Sequence, residues 1–316
     1  MNGARHTDLP QRKPQVSLRF GLPKILLGST MPDAAVIIPH YNDTVRLARC
    51  LSALMPQIGP GIEVVVVDNG STESLDAVRA AYPDLSLVTE TRKGAAMARN
   101  RGVAETTAPR LFFLDCDCVP DANWLATALR RADAADLVGG DIRVFDETLP
   151  PRTGAQAFEA VFAFDNRGYI ETKGFSVTAN LLTRRDVFAD VGPFTPGLSE
   201  DLDWCHRARA KGYRLIYAAD LAVAHPSRGD WAALSRKWRR LTEEGYGVNG
   251  TAAGARVRWA LKALAMPASI LVHSVRVLRH SALRSGTERR AALATLARLR
   301  LTRSVWMLRQ AAGMGL

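Results

Sequence analysis

AVIIPHYN, at residues 35–42, joins four consecutive apolar residues to a polar turn, and the same pattern recurs twice further along the chain. VVVVDNGS follows at residues 64–71 and LFFLDCD at residues 111–117, with helical spacing of apolar residues between them. Short apolar runs that alternate with helices are typical of strands buried on both faces of a mostly parallel sheet. The pattern therefore predicts an α/β domain, in which a strand pair near residues 137–144 is followed by an irregular stretch to about residue 175.

The polar residues that end each run lie where an open α/β sheet binds its ligands, outside the carboxyl ends of the strands. Asp115 and Asp117 follow the third run, and two such carboxylates can converge on one hard divalent cation if the chain turns there. A solvated turn explains them equally well. A zinc site at Cys116 and Cys118 is a weaker alternative, because no second cysteine pair lies nearby.

Three further groups carry potential chemistry. SEDLDW, at residues 199–204, places Asp201 at a predicted helix start, where it is either a general base or an acid that favours the helix dipole. Lys93 and Arg99 border another predicted helix and suit an anionic diphosphate or a solvated helix face. His225, taken alone, is a loop or core histidine more readily than a metal ligand.

The composition limits the class of protein. The chain has 316 residues, of which 47% are hydrophobic and 23% charged, which excludes a disordered or collagen-like chain and fits one large domain or two small ones. Four cysteines are too few for a disulfide scaffold and indicate a reducing compartment. Residues 1–32 show neither sustained periodicity nor the apolar core of a signal peptide, so we expect an N-terminal tail and a cytoplasmic protein.

Positive charge is concentrated near the C-terminus. Residues 226–316 contain 17 Lys and Arg against 4 Asp and Glu, whereas residues 1–225 contain 25 against 27. A basic extension on a neutral body points to an anionic membrane surface and away from nucleic acid. We therefore predict basic amphipathic helices over 229–316 that lie on the cytoplasmic face of a membrane without crossing it. The alternative is that these helices pack on the catalytic domain or on a second copy of the chain.

These segments together resemble a family 2 glycosyltransferase of the GT-A fold, a Rossmann-like mostly parallel sheet flanked by helices. The resemblance covers about residues 33–228 and leaves 229–316 as a C-terminal helical extension. Any one motif is weak, but their order and separations are those of the family. The motifs are VIIPHYN at 36–42, VVDNGS at 66–71, RNRG at 99–102, LDCD at 114–117, GPF at 192–194, EDLDW at 200–204 and His225.

The resemblance implies a role for each matching residue. In donor binding, the nucleotide pocket corresponds to Pro39, Tyr41 and Asp68, and the segment along the diphosphate and sugar corresponds to Lys93, Arg99 and Asn100. Asp115 and Asp117 match the family's Asp-x-Asp motif, in which the second aspartate holds a divalent cation, Mn or Mg, and the first faces the ribose or sugar and contributes to the metal site. His225 matches a further metal ligand of some members. The chain departs from the usual pattern at Asn69, where a second Asp is commoner.

The family further implies that Asp201 is the general base, with Glu200 beside it, in an inverting transfer from a nucleotide-sugar donor. UDP is the favoured nucleotide, and family acceptors include polysaccharides, lipid-linked glycans and proteins.

Two other functions remain as alternatives. A sugar nucleotidyltransferase would share the architecture but needs a glycine-rich phosphate loop where this chain has PHYN, and a membrane-surface protein could retain the fold with an inactive site. A glycine pattern at residues 245–250, GYGVNG, follows a helical segment instead of a strand, so we interpret it as a mobile loop near the acceptor.

Overall fold

The computed structural model describes residues 32–197 and 199–316. The predicted tail at 1–32 lies outside the described residues, apart from its last position. The described chain forms one eight-stranded sheet with the order β3-β2-β1-β4-β7-β6-β8-β5. Its strands are β1 Ala34–His40, β2 Ile62–Asp68, β3 Ser86–Thr89, β4 Arg110–Leu114, β5 Val119–Pro120, β6 Leu137–Phe145, β7 Asn180–Arg184 and β8 Leu215–Pro226.

Helices lie between and after these strands. They are α1 Thr44–Leu54, α2 Asp76–Ala81, α3 Ala95–Ala104, α4 Trp124–Arg131, α5 Gly154–Phe162, α6 Asn166–Gly168, α7 Arg185–Val191, α8 Glu200–Ala210, α9 Trp231–Asn249, α10 Ala253–Ala265, α11 Ser269–Arg279 and α12 Gly286–Ala311. Short helical turns at Met55–Gln57 and Tyr169–Lys173 extend α1 and α6.

The three apolar runs form the centre of the sheet, as predicted. β1 lies between β2 and β4 and is parallel to both, and β7 adds antiparallel strand pairing next to β4. Alternate side chains of β1 enter separate apolar clusters on the two faces, with Ile38 in one and Ile37 in the other. Both faces of the central strands are buried, which explains why the runs are continuously apolar. The α/β fold class is confirmed.

Several local expectations were wrong. Residues 137–144 form the single strand β6 instead of a strand pair, and the stretch before 175 contains helix α5. A capping box starts α5, because the Thr153 hydroxyl accepts the Gln156 amide proton while the Gln156 side chain accepts from the Thr153 amide. The glycine pattern at 245–250 is no loop either, since α9 continues to Asn249.

The C-terminal helices share an apolar cluster with α5. The side chains of Phe158 and Val161 on α5 are buried against Leu234 of α9 and Leu296 of α12. A boundary near residue 228 stays a prediction, but part of the extension is packed on the preceding residues in the way that the alternative interpretation expected.

Candidate active site

A cleft of about 730 Å³ opens at the carboxyl ends of β1 and β4. Most of the side chains singled out from the sequence line it, although they come from six separate places in the chain. The cleft residues among them are Pro39, Tyr41, Lys93, Arg99, Asp115, Asp117, Glu200, Asp201 and His225. The topology thus brings together the ends of β1 and β4, the start of α8 and the end of β8.

Asp117 and His225 form the closest pair in the cleft. A carboxylate oxygen of Asp117 lies 3.2 Å from Nε2 of His225, and Nδ1 of His225 lies 2.8 Å from the Pro226 carbonyl oxygen. The carbonyl accepts the Nδ1 proton, which leaves Nε2 directed at the carboxylate. Burial opposes ionisation of Asp117, but His225 outweighs it and lowers the pKa of Asp117 to about 2. Asp117 is therefore an anion at neutral pH.

The donor set at this pair fits a divalent cation. Ligand atoms of Asp117, His225 and Cys118 lie within 4.8 Å of one another. Burial raises the pKa of the Cys118 thiol well above its usual range, and sulfur is a soft donor that suits a hard cation poorly. The carboxylate and the imidazole are the two groups suited to hold the metal.

Asp115 does not join this group of ligand atoms. Its carboxylate accepts a hydrogen bond from Nη2 of Arg99 at 2.6 Å. Asp117 and not Asp115 adjoins His225, so the metal role of Asp115 stays a prediction. The orientation leaves Asp115 on the wall of the cleft, where the family resemblance expects contact with the donor.

Arg99 bridges the two acidic parts of the cleft. Its Nη1 donates to Glu200 at 2.8 Å while its Nη2 donates to Asp115, and the side chain is only 4% exposed. Burial disfavours the charged guanidinium, but Asp115 and Glu200 keep the pKa of Arg99 above its ordinary value. The contact of Arg99 with the donor diphosphate stays a prediction, and the structure adds that its guanidinium positions two carboxylates.

We expect Arg99→Lys to lower the free energy of unfolding by about 2 kcal/mol, because an ammonium cannot hold both carboxylates and one is left without its partner. Turnover should fall by roughly 100-fold as Glu200 and Asp115 move from their positions. Chemical denaturation and steady-state kinetics measure the two effects.

Arg101→Lys is the matched control on the same helix. Arg101 forms an exposed pair with Glu105, and such pairs contribute at most about 1 kcal/mol. Equal losses in the two variants would contradict the bridging role of Arg99.

Asp201 lies in the first turn of α8, as its sequence context predicted. One carboxylate oxygen accepts hydrogen bonds from the Ser199 hydroxyl at 3.0 Å and from the Leu202 amide at 2.8 Å. Burial and the neighbouring Glu200 charge nevertheless raise the pKa of Asp201. A carboxylate with a raised pKa and a fixed orientation in a cleft is suited to accept a proton.

Two predicted donor-binding residues do not line the cleft. The Asn100 side chain pairs with the Phe194 backbone, its Nδ2 donating to the carbonyl and its Oδ1 accepting from the N–H at 2.9 Å each. Asn100 therefore anchors the loop before α8, and its contact with the donor stays a prediction. Asp68 lies behind the cleft wall, where its carboxylate contacts Nδ1 of the buried His40 at 3.2 Å.

The unusual Asn69 has a structural explanation. Its Nδ2 donates to the carbonyls of Glu90 and Arg92, and its Oδ1 accepts from the Gly94 amide. An aspartate could not make the two donor bonds. Asn69 thereby anchors the loop that presents Lys93 to the cleft.

The sequence reasoning missed part of the cleft. Phe164, Tyr169 and Phe175 line it from the segment after α5, and Lys237 lines it from α9. Glu244, also on α9, has its pKa raised to about 7 by burial, with Glu200 and Asp201 adding to the shift. The aromatic spacing of residues 158–175 was the available signal, but the segment was interpreted as irregular.

The fold and the cleft define a class of protein. The structure is similar to the mannosyltransferase PcManGT from Pyrobaculum calidifontis, solved with GDP-Man and Mn²⁺, with a TM-score of 0.51, 22% identity and coverage of 91% of this chain and 77% of that one. It is also similar to S. aureus TarS 1–349 in complex with UDP-GlcNAc, with a TM-score of 0.50, 17% identity and coverage of 89% and 92%. These similarities show the α/β fold of GT-A type glycosyltransferases.

Sequence comparison defines the family. A sequence model of glycosyl transferase family 2 matches residues 35–195, and the chain belongs to this family of enzymes. Glycosyltransferase AglE of Haloferax volcanii is 34% identical over 223 residues, which are 67% of this chain and 72% of AglE. Pre-mycofactocin glycosyltransferase of Mycobacterium tuberculosis is 32% identical over 224 residues, covering 65% of this chain but only 46% of that protein. The protein is therefore a glycosyltransferase.

Proposed function

We propose that the enzyme transfers a hexose from a nucleoside-diphosphate sugar to a hydroxyl group of a glycan or lipid-linked acceptor, with inversion at the anomeric carbon. The observation that carries this proposal is the cleft itself, which unites the Asp117–His225 pair with the half-buried carboxylate of Asp201. One end of such a cleft can hold a diphosphate and the other can activate a hydroxyl. No covalent sugar intermediate is needed.

The residues divide the chemistry between them. Asp117 and His225 would hold a divalent cation, Mn²⁺ or Mg²⁺, which neutralises charge on the leaving diphosphate. Lys93, held at the cleft by the Asn69 loop, adds a positive charge to the same end. Asp201 takes the proton of the acceptor hydroxyl as that oxygen attacks the anomeric carbon. Pro39 and Tyr41 border the space assigned to the nucleotide.

The experiment is a panel of UDP, GDP and other nucleotide sugars, each with Mn²⁺, Mg²⁺ or EDTA, scored for release of nucleoside diphosphate. We expect metal-dependent release, with a UDP-sugar as the favoured donor. PcManGT binds GDP-Man and TarS binds UDP-GlcNAc, so both nucleotides belong in the panel. Formation of a nucleotide sugar from a sugar phosphate would instead support the nucleotidyltransferase alternative, and binding without turnover would support the inactive one.

We also propose that the enzyme is peripheral to the cytoplasmic face of a membrane. Among the described residues no single helix is long and apolar enough to span a bilayer, and only α10 and α11, bent by 50° at their junction, pass that test as a pair. This pair exposes seven large apolar residues beside several arginines. They are Val257, Leu261, Leu264, Leu271, Val272, Val275 and Leu278.

The tryptophans of the extension do not contribute to this exposed surface. Trp231, Trp238 and Ile270 pack against the α5 cluster, and Trp259 is 7% exposed with its Nε1 donating to Gln310. The tryptophans therefore hold the extension together instead of facing outward. The exposed aliphatic side chains and the flanking bases Arg258, Lys262, Arg276 and Arg279 fit a partly inserted helix pair on an anionic leaflet.

We expect the full chain to sediment with liposomes in proportion to their anionic lipid content and less so in high salt. Leu271→Ser with Leu278→Ser should reduce binding by on the order of tenfold or more, because two exposed leucines no longer enter the apolar region. The matched control is Leu149→Ser, which alters a leucine that is 89% exposed elsewhere.

Equal recovery of wild type and double variant with neutral and anionic liposomes would contradict the membrane proposal. Substitution is the sharper test than truncation near residue 250, since truncation removes Leu296 and Leu299 from the cluster around α5.

A further inference from the structure

A second cavity adjoins the cleft and shares five lining residues with it, which are Asp117, His225, Arg228, Lys237 and Arg240. Its volume is about 360 Å³. Five cationic side chains face it, and Asp117 is the single acid among its lining residues. We call this cavity the basic pocket, and its cations are Arg46, Arg228, Arg236, Lys237 and Arg240.

The positive charge of the basic pocket is held in place from outside it. Glu159 is 1% exposed and pairs with two cations. Its Oε1 accepts from Nζ of Lys237 at 2.8 Å and lies 3.4 Å from Nη1 of Arg228. Glu147 fixes Arg46, with a shortest contact of 2.6 Å. These carboxylates do not line the pocket, so they position the cations while the faces toward the cavity stay positive.

The remaining two cations come from the outer face of α9. Arg240 lies 3.5 Å from Glu244, whereas Arg236 forms no ion pair within the described residues 32–197 and 199–316. An exposed arginine that is directed at a cavity and lacks a carboxylate partner remains able to bind an anion. Four positive charges in excess, gathered around a small concave space, match a phosphate dianion better than a carboxylate.

We propose that the basic pocket is a subsite for the phosphate group of a lipid-linked acceptor, next to Asp117 and His225. This inference rests on the proposed function, which gives the donor diphosphate to the cleft residues and leaves the acceptor to be placed. Pro39, Tyr41 and Lys93 line the cleft but not the basic pocket. The cations Arg46 and Arg236 line the basic pocket alone, so a test on them separates it from the cleft.

The test uses two variants and one matched control in the full chain. Arg236→Gln and Arg46→Gln each remove a cation that lines the basic pocket but not the cleft. Arg239→Gln removes the same charge from the same helix at a position that lines neither cavity. Isothermal titration calorimetry measures binding of geranyl phosphate and geraniol in EDTA, and of UDP and GDP with Mn²⁺.

Each result has a defined meaning. A loss of geranyl phosphate affinity of about tenfold in both pocket variants but not in Arg239→Gln, with geraniol unbound, would establish the subsite for an acceptor phosphate. A loss for UDP and GDP without a loss for geranyl phosphate would give the pocket to the donor diphosphate and overturn the acceptor subsite. If neither ligand distinguishes the pocket variants from Arg239→Gln, the phosphate subsite is wrong.

Nucleotide-sugar turnover by the unchanged chain is measured in parallel. Retained turnover with no effect of Arg236→Gln or Arg46→Gln overturns the subsite alone. Absent turnover with phosphate binding that depends on Arg236 overturns the proposed transfer reaction but supports the subsite. The two proposals therefore fail independently.

Discussion

Asp201→Asn is expected to lower turnover by on the order of 10²–10⁴, the usual contribution of a positioned general base, while the affinity for nucleoside diphosphate stays unchanged. The substitution keeps the size of the side chain and an oxygen that can accept from Ser199 and Leu202, so the start of α8 is preserved. Steady-state kinetics beside calorimetry with UDP and GDP separates the two effects.

Asp203→Asn is the matched control. Asp203 lies in the same helical turn, pairs with Arg207 at 2.9 Å and does not line the cleft, so its loss should change turnover only a few-fold. Glu200→Gln should weaken activity less than Asp201→Asn. Glu200 pairs with Arg99 and affects the reaction only by raising the pKa of the neighbouring Asp201. Loss of nucleotide binding in Asp201→Asn without a specific loss of rate would make Asp201 structural.

The base assignment also has a pH dependence with a definite sign. A base works only when deprotonated, so kcat/KM should fall as the pH drops through the pKa of Asp201. Burial, Glu200 and the nearby Glu244 act to raise this pKa or favour the neutral form, while Arg99 and the Ser199 hydroxyl lower it. The acid limb should therefore lie above the usual aspartate value, near 3.9, and Ser199→Ala should move it to still higher pH.

The central sheet was predictable because its signal is local. Every position is apolar in three short runs, at residues 35–38, 64–67 and 111–114. A run of this length is continuously apolar when the strand is buried on both faces. Helix α5 was missed although Thr153 and Gln156 form its capping box, since the stretch to about residue 175 was interpreted as irregular. A sequence reading that gave the box more weight would have found it.

The candidate site was predictable in its members but not in their partners. Arg99 contacts Asp115 from 16 residues away and Glu200 from 101 residues away, and no periodicity connects those positions. The resemblance gave Arg99 a role in donor binding from its motif alone. The contacts of Arg99 with two carboxylates became visible only in the folded structure. His225 was ambiguous on its own because Asp117, which gives it a role, lies on a different strand end.

Asp117→Asn is expected to abolish metal-dependent turnover, with a loss beyond about 10³-fold, because it removes the anionic oxygen ligand. The readout that does not depend on activity is Mn²⁺ binding, followed by electron paramagnetic resonance. Loss of an outer partner of a metal ligand typically costs 10- to 100-fold in affinity, so loss of a direct ligand should cost at least about 100-fold. Asp76→Asn, in the exposed first turn of α2, should leave both measurements unchanged.

Cys118→Ser decides which donor atoms hold the cation. The thiol lies near Asp117 and His225, but sulfur is a soft donor that Mn²⁺ disfavours, so its replacement should alter neither Mn²⁺ affinity nor turnover. A zinc site would behave in the opposite way, because a thiolate would supply one of its strongest ligands. Normal Mn²⁺ binding by Asp117→Asn, or its loss in Cys118→Ser, would contradict the assignment of the metal to the carboxylate and imidazole pair. If a carboxylate and an imidazole hold the cation, Mn²⁺ affinity should fall in both Asp117→Asn and His225→Ala. Cys118→Ser should leave that affinity unchanged.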